Sequence, residues 1–156
     1  MHAVDMSRPT GAVAVLLSTL IVGLVAGALA VAPASARTAH GVRGLIVIRT
    51  PDRVTMPRSG CIDVKVRVHA SAVASGKTWL IELATKAPHS AVWRNGTWDE
   101  GTGRGVAIDS VVRQTVCRPF DPAGKYRLRV TFSTGSSPVD LAHRDHANSW
   151  TKVATK

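Results

Sequence analysis

The densest group of metal-capable side chains in the sequence is His143-Arg144-Asp145-His146. Two histidines three residues apart can share a metal ion on a helical turn, with the Asp145 carboxylate nearby. No further ligand stands at a matching spacing. Asp99 and Glu100 offer calcium only two carboxylates, without the spacing of an EF-hand loop. The sequence therefore predicts no metal and no other cofactor, and residues 143–146 are interpreted as a solvated polar segment.

Hydroxyl and carboxyl groups are present, but their spacing does not predict a hydrolase. The chain contains no G-x-S-x-G motif, and Ser59 has neither a histidine nor an acid beside it. Ser136 and Ser137 lie too near Asp140 and His143 in sequence to form a convincing triad. A glycosidase would need two carboxylates in a cleft that a domain of this size rarely forms. No catalytic residue is predicted.

Two tryptophans flank a turn signal in Trp93-Arg94-Asn95-Gly96-Thr97-Trp98. Asn-Gly between β-forming residues predicts a type I′ turn, which would place Trp93 and Trp98 opposite one another in a hairpin. Such a pair either clamps a sugar ring or a partner, or it holds the hairpin together by about 0.5–1.5 kcal/mol. We favour the structural role. The glycosylation sequon Asn95-Gly96-Thr97 is then explained by the turn.

Basic side chains are the remaining candidates for binding. The chain carries 20 Lys and Arg against 10 Asp and Glu, a net charge of +10, which attracts wall polymers, acidic polysaccharide, membrane headgroups or nucleic acid. No aromatic residues interleave with the basic ones, so nucleic acid is not expected. The sequence predicts Lys65, Arg67 and Arg113 on one outer face. Arg127 and Arg129 are expected outside the opposite sheet, and all five are candidate anion contacts.

The N-terminal residues predict export. Gly11 to Ala32 is an uncharged apolar run, and Ala34-Ser35-Ala36 is a small-x-small cleavage site. Residues 1–36 are therefore predicted to be a signal peptide, cleaved after Ala36, with either Met1 or Met6 as the start. The apolar run is also long enough to span a bilayer, so an N-terminal membrane anchor is the alternative. Either way the domain works outside the cytoplasm, and no membrane span is expected after cleavage.

Two cysteines remain after this cleavage, in a segment of 120 residues that keeps the full charge of +10. That length suits one domain with a modest core. In an oxidising compartment Cys61 and Cys117 are expected to form one disulfide. Because the loop it closes is long, the chain-entropy model gives roughly 4 kcal/mol of stabilisation.

The mature chain shows the period of β-strands and no convincing helical period. After a flexible lead-in over residues 37–43, strands are expected at 44–50, 62–69 and 79–84, and residues 106–117 are expected to form a long strand or a bent pair. Another is expected at 126–132, and a last short one lies within 149–155. With the hairpin, roughly seven short strands predict an antiparallel β-sandwich over residues 44–156.

The disulfide position follows from side-chain parity. Cys61 and Cys117 share the parity of the polar residues, so the bridge should tie neighbouring antiparallel strands at their ends rather than cross the core. Pairing the two cysteines places Val66 opposite Val112 and Ile62 opposite Val116. It also places Lys65 opposite Arg113, a like-charge pair that costs stability unless Asp63 or an anion lies between them.

Three segments resemble immunoglobulin-like β-sandwich domains that are common in secreted bacterial proteins: PRSGCIDVKVRVHA, GTWDEGTGRG and QTVCRPFDPAGKYRLRVTF. In such domains Gly-Cys opens the second strand, and a Cys followed by a D-x-x-G-x-Y turn leads into a late strand. The likeness covers residues 44–133 and implies a mostly non-catalytic protein. It departs from antibody domains at Thr115, where a tyrosine would stand two residues before the second cysteine, and Trp79 also lies further past Cys61 than the core tryptophan should.

Three functions follow as hypotheses. The first is a monomeric, non-catalytic binding module at the cell envelope, whose basic surface contacts an anionic cell-wall polymer or an extracellular protein. The second is an inhibitor or effector that acts through an exposed loop such as 70–77 or 101–105. The third is a small secreted hydrolase.

Overall fold

A computed structural model describes residues 35–156, and every regular element in that range is a β-strand. The predicted all-β class is therefore confirmed, with nine strands rather than about seven. Most of the predicted signal peptide lies outside the described residues. In the described part no helix is long and apolar enough to cross a membrane. The strands are β1 (Ala36–His40), β2 (Ile46–Pro51), β3 (Arg53–Met56), β4 (Cys61–Ala70), β5 (Thr78–Lys86), β6 (Arg94–Thr102), β7 (Ile108–Cys117), β8 (Gly124–Ser137) and β9 (Asp140–Thr155).

Two sheets enclose one hydrophobic core. The four-stranded sheet has the order β1-β2-β4-β7, and the five-stranded sheet has the order β3-β9-β8-β5-β6. Neighbouring strands are antiparallel except β3 and β9, which run parallel. Alternate residues of each long strand enter the core, as the sequence pattern predicts. Each large apolar side chain buried there contributes roughly 1.5–3 kcal/mol. Both sheets supply core residues, among them Val64, Val66, Val112, Leu128, Val130 and Phe132.

The disulfide joins neighbouring strands within one sheet. Cys61 and Cys117 are bonded and are direct cross-strand partners on β4 and β7. Val66 lies opposite Val112 in the same ladder, so the predicted register is confirmed. The bridge therefore fixes one end of the β4–β7 pair and leaves the core to the apolar side chains.

The predicted lead-in over residues 37–43 is wrong in its first half, because Ala36–His40 forms strand β1 against β2. Its sequence, ARTAH, lacks the apolar alternation that marks a half-buried strand. The strand is held instead by backbone pairing with β2 and by an ion pair in which Arg37 Nε lies 2.8 Å from Asp52 Oδ1. The last strand is also longer than predicted. β9 extends over 16 residues and includes His143 to His146, the segment interpreted as solvated. Two of its inward positions hold Asp145 and Ala147, which conceals the strand pattern.

The predicted hairpin at Trp93 to Trp98 is wrong. Asn95 and Gly96 lie within the continuous strand β6, at a β-bulge where the register with β5 shifts by one residue. Gly96 is required there by close packing rather than by a turn, since a Cβ would lie 2.7 Å from the carbonyl oxygen of Arg113 on β7. Trp98 is 66% exposed, pairs with Glu82 and does not face Trp93.

A buried carboxylate fixes the turn between β1 and β2. Asp145 is 2% exposed and accepts hydrogen bonds from the backbone N–H groups of Arg43 (2.9 Å), Leu45 (2.8 Å) and His146 (2.8 Å). A side chain at Gly41 would overlap this carboxylate, so the turn closes tightly over it. Burial by itself raises the pKa of Asp145, but these backbone hydrogen bonds outweigh burial and hold the pKa below its ordinary value.

We expect Asp145→Asn to destabilise the protein by about 1–3 kcal/mol at neutral pH, because one buried acceptor and the charge are lost. A lowered folded pKa stabilises the fold above the unfolded pKa, and that contribution is lost as pH falls through the folded value. Urea unfolding at pH 7 and at successive values below about 4 should therefore show the difference from the unmodified protein shrinking. Asp140→Asn, at an exposed position, is the control and should change stability by less than about 0.5 kcal/mol. An Asp145→Asn protein as stable as this control would contradict the assignment.

Candidate functional site

The three basic residues predicted on one face lie together on the four-stranded sheet. Lys65 on β4 is the cross-strand partner of Arg113 on β7. Arg67 lies two residues further along β4 and is the partner of Arg49 on β2, which the sequence did not single out. We call this surface the four-strand face, defined by Arg49, Lys65, Arg67 and Arg113. A cavity of about 680 Å³ opens on it, and its lining includes Arg49, Arg67, His69 and Asp109.

Arg127 and Arg129 lie on the outer side of the five-stranded sheet, as predicted. They alternate along β8 with the buried residues Tyr126, Leu128 and Val130. Lys125 precedes them on the same side of β8. Three cations on other strands share this side through the register: Lys86 is the partner of Arg127, Lys152 is the partner of Lys125, and Arg53 is the partner of Lys152. We call this surface the five-strand face, defined by Arg53, Lys86, Lys125, Arg127, Arg129 and Lys152.

Like charges are paired directly across the strands on both faces. The ladders of the described strands contain five Lys/Arg pairs and no pairing of Lys or Arg with Asp or Glu. A like-charge pair at such positions is destabilising, by amounts comparable to the 0.2–1 kcal/mol that a favourable pair contributes. Five such pairs on two faces therefore cost stability unless counter-ions lie near them. The five pairs are Arg49–Arg67, Lys65–Arg113, Arg53–Lys152, Lys125–Lys152 and Lys86–Arg127.

Carboxylates do little to neutralise these cations. Among residues 35–156, Arg113 is the one face cation with an ion pair, a long contact of 3.9 Å to Asp63. Asp63 also accepts a hydrogen bond from the Thr115 hydroxyl at 2.8 Å. On the four-strand face Asp109 contacts His69 and no arginine, with 2.9 Å between Asp109 Oδ1 and His69 Nδ1. The positive potential of both faces is therefore left open to solvent and to ligands.

Two adjoining cavities follow β8 on the five-strand face. One, of about 540 Å³, lies between the segment after β5 and the start of β8 and includes Lys86 in its lining. The other, of about 360 Å³, extends toward β9 and includes Arg129 and Asn148. Lys125 and Arg127 line both, so the two cavities are neighbours, and we call the pair the groove. Low-dielectric walls around one sign of charge focus the field, which raises the local concentration of anions.

Tryptophan rings contact two cations of this groove, Lys125 and Arg129, and Arg37 of β1 beside it. The Arg37 guanidinium lies 3.6 Å from the centroid of the Trp150 ring, and the Lys125 ammonium lies 4.4 Å from it. Arg129 lies 4.7 Å from the centroid of Trp93 and donates a hydrogen bond to Asn148 Oδ1 at 3.1 Å. Each cation–π contact is worth about 0.5–1 kcal/mol at exposed sites and restricts a mobile side chain. The sequence assigned Trp93 to a hairpin, and its basic partner on β8 is more than 30 positions away, so no local pattern predicts this contact.

The histidine cluster does not form a metal site in the described residues. His143 and His146 are three apart on a strand, so their side chains leave opposite sides of the sheet. The carboxylate of Asp145, which lies between them in sequence, already accepts hydrogen bonds from backbone N–H groups. Within residues 35–156 no group of three or more His, Cys, Asp or Glu side chains is arranged to hold a metal ion.

The two loops predicted as candidate inhibitory segments lie side by side. Gly103 N–H donates to the carbonyl of Lys77 at 2.7 Å, and Gly105 N–H donates to that of Val73 at 2.9 Å. A Cβ at Gly103 would overlap the carbonyl oxygens of Val73 and Ala74, so glycine permits this close approach. The loops are therefore braced against each other.

No protein-family model and no curated protein matches the chain. The two basic faces are accordingly interpreted from their own geometry, and the like-charge pairs are their most specific feature.

The repulsion on the five-strand face is measurable without any ligand. Lys152 is the partner of both Lys125 and Arg53, so Lys152→Glu converts two like-charge pairs into opposite-charge pairs. After allowance for solvent screening we expect a gain of about 0.5–1 kcal/mol in the free energy of unfolding at low salt, and less at high salt.

The control for this change is Lys156→Glu, which alters the net charge equally at an exposed residue outside the strands. Urea unfolding at low and high salt measures both variants. If Lys152→Glu is no more stable than Lys156→Glu at low salt, the like-charge pairs do not strain the sheet.

Proposed function

We propose that this protein is an exported, non-catalytic binding module of the cell envelope that holds anionic polymers on its basic sheet faces. The single observation that carries the proposal is the set of five like-charge pairs across the strands, which lower stability unless an anion lies between them. The cation-lined groove on the five-strand face adds a concave surface on which an anionic chain can lie.

Export is supported by two features of the chain. The apolar run and the Ala34-Ser35-Ala36 site have the form of a signal peptide. The Cys61–Cys117 disulfide is consistent with an oxidising, extracellular location. A domain retained at the envelope meets polymers that carry carboxylate and phosphate groups, and these match the charge of the two faces.

We further propose that the two sheets form an immunoglobulin-like sandwich. The order β3-β9-β8-β5-β6, with β3 parallel to β9, supports this topology. So does the contact at the start of β8, where the Tyr126 hydroxyl donates a hydrogen bond to the carbonyl of Pro122 at 2.8 Å, as in a tyrosine corner. Burial, with the nearby Asp121 charge, raises the pKa of Tyr126 to about 12, so the hydroxyl keeps its proton at any physiological pH.

A second candidate function is an inhibitor or effector of another extracellular protein. The observation that favours it is the braced pair of loops at residues 71–77 and 103–107, which presents Val106 at 62% exposure. A loop that is already ordered binds with a smaller entropic cost. An Arg104→Glu variant that loses envelope binding while variants of the basic faces keep it would favour this function over the first.

The first function is tested by cosedimentation of residues 35–156 with isolated bacterial envelopes across a salt series. We expect binding at low salt that weakens steeply as the ionic strength rises through the physiological range, because exposed charges are screened over about 8–10 Å there. The variant Arg127→Glu/Lys152→Glu should bind at least about tenfold more weakly, since each reversal removes an attraction and adds a repulsion.

The matched control is Arg104→Glu/Lys156→Glu, which changes the net charge equally at exposed positions outside both faces. It should bind within about twofold of the unmodified protein if position rather than total charge matters. Equal loss in the two variants, or no binding by the unmodified protein at low salt, would contradict the proposed function.

A further inference from the structure

The basic residues are divided between two surfaces that face away from each other. The inner sides of both sheets meet in one core, so their outer sides point in opposite directions. The four-strand face and the five-strand face each contain like-charge cross-strand pairs, and neither has enough carboxylates to neutralise it. A single binding face does not account for this duplication.

We infer that one domain binds two anionic chains at once, one on each face, and thereby bridges them. This inference rests on the proposed function, because it states how many anionic chains the same basic surfaces bind and to which chemical class these chains belong. Packed sheets are separated by about 10 Å, so two chains on opposite faces are held close without touching. The cations of each face neutralise part of the charge of the chain that they bind, which weakens the repulsion between the two chains.

The ligand class follows from the groups in the groove of the five-strand face. The rings of Trp150 and Trp93 are engaged by cations, so they hold charge in place rather than offering platforms on which nucleobases stack. A flat membrane can reach only one of two opposite faces. The Asn148 amide and the Trp150 indole lie among the cations of the smaller cavity and offer neutral hydrogen-bond donors. A linear acidic polysaccharide, which carries hydroxyl groups beside its carboxylates, matches both kinds of group.

The periodicity of the strands supports a linear ligand. Lys125, Arg127 and Arg129 are spaced two residues apart on β8, so their backbone positions recur at about 6.8 Å. On the other face Lys65 and Arg67 have the same spacing on β4, each with an arginine opposite. Regular rows of cations bind a chain with regularly repeated charges more effectively than they bind an isolated anion, because successive contacts are intramolecular after the first.

The bridging activity is tested by a two-chain capture experiment with polygalacturonate, a linear polymer of uronic acid. The polymer is immobilised, the 35–156 protein is bound and washed, and a fluorescently labelled polygalacturonate is then added. Light scattering of the free protein checks that it is a monomer, since a dimer would bridge through two copies of one face. We expect the captured protein to retain the labelled chain at low salt and to release it as salt rises.

Variants of one face at a time distinguish bridging from binding. Arg67→Glu/Arg113→Glu alters the four-strand face, and Arg127→Glu/Lys152→Glu alters the five-strand face. Each should still bind the immobilised polymer through the intact face, while retention of the second chain falls to about one tenth or less. Arg104→Glu/Lys156→Glu, with the same net charge as either, should retain the second chain within about twofold of the unmodified protein. Thermal unfolding confirms that each variant is folded.

The outcomes separate this inference from the proposed function. A protein that binds the immobilised polymer but never retains a second chain overturns bridging and leaves the proposed function standing. A single-face variant that bridges as well as the unmodified protein also overturns it. Capture of polyphosphate without any capture of polygalacturonate overturns the ligand class. A protein that binds neither the polymers nor the envelopes overturns the proposed function itself.

Discussion

The organisation of this protein depends on the two-residue period of its strands around one shared core. Because successive side chains leave opposite sides of a strand, filling the core with Val64, Val66 and Val68 forces Lys65 and Arg67 outward. The same rule on β8 turns Arg127 and Arg129 to the opposite surface of the molecule. A shift of one residue in either strand would bury cations and expose valines, so core packing fixes the position of the charges.

The register then determines which charges meet. The disulfide between Cys61 and Cys117 and the apolar pairs beside it hold β4 and β7 in a register that brings Lys65 opposite Arg113. Burial of several apolar side chains, at roughly 1.5–3 kcal/mol each, outweighs repulsion of a few tenths to about 1 kcal/mol for each exposed pair. The fold can therefore tolerate five like-charge pairs at once. It retains a repulsion between paired cations on both outer faces.

The sequence predicts the strands whose inward positions are mostly apolar, and it fails where charged or small groups take those positions. β4, β7 and β8 alternate clearly, which made both the disulfide and the Lys65–Arg113 pair predictable. For β9 the sequence predicts only the C-terminal part. Asp145 occupies a core position because backbone N–H groups satisfy its carboxylate, and hydrophobic periodicity does not reveal such an arrangement. Asn95-Gly96 has the composition of a turn, yet it lies at a β-bulge of β6. Glycine is needed there because the backbone packs closely against β7. The Trp93–Arg129 contact joins parts of the chain that are distant in sequence, so no local pattern predicts it.

The use of the acidic residues explains why the two faces remain positive. Asp145 satisfies the turn after β1, and Asp121 accepts a hydrogen bond from the Cys117 N–H at 2.7 Å and pairs with Arg94. Asp99 accepts a hydrogen bond from the Ser110 hydroxyl at 2.6 Å, and Asp52 pairs with Arg37 at 2.8 Å. These carboxylates join strand ends, turns and sheet edges, where unpaired donors would otherwise be costly. The chain has half as many acidic as basic residues. Because these carboxylates are engaged at strand ends and turns, few acidic side chains remain to neutralise the cations of the central strands. The excess of bases over acids makes the faces positive, and the hydrogen bonds at the margins of the fold keep these four carboxylates from offsetting it.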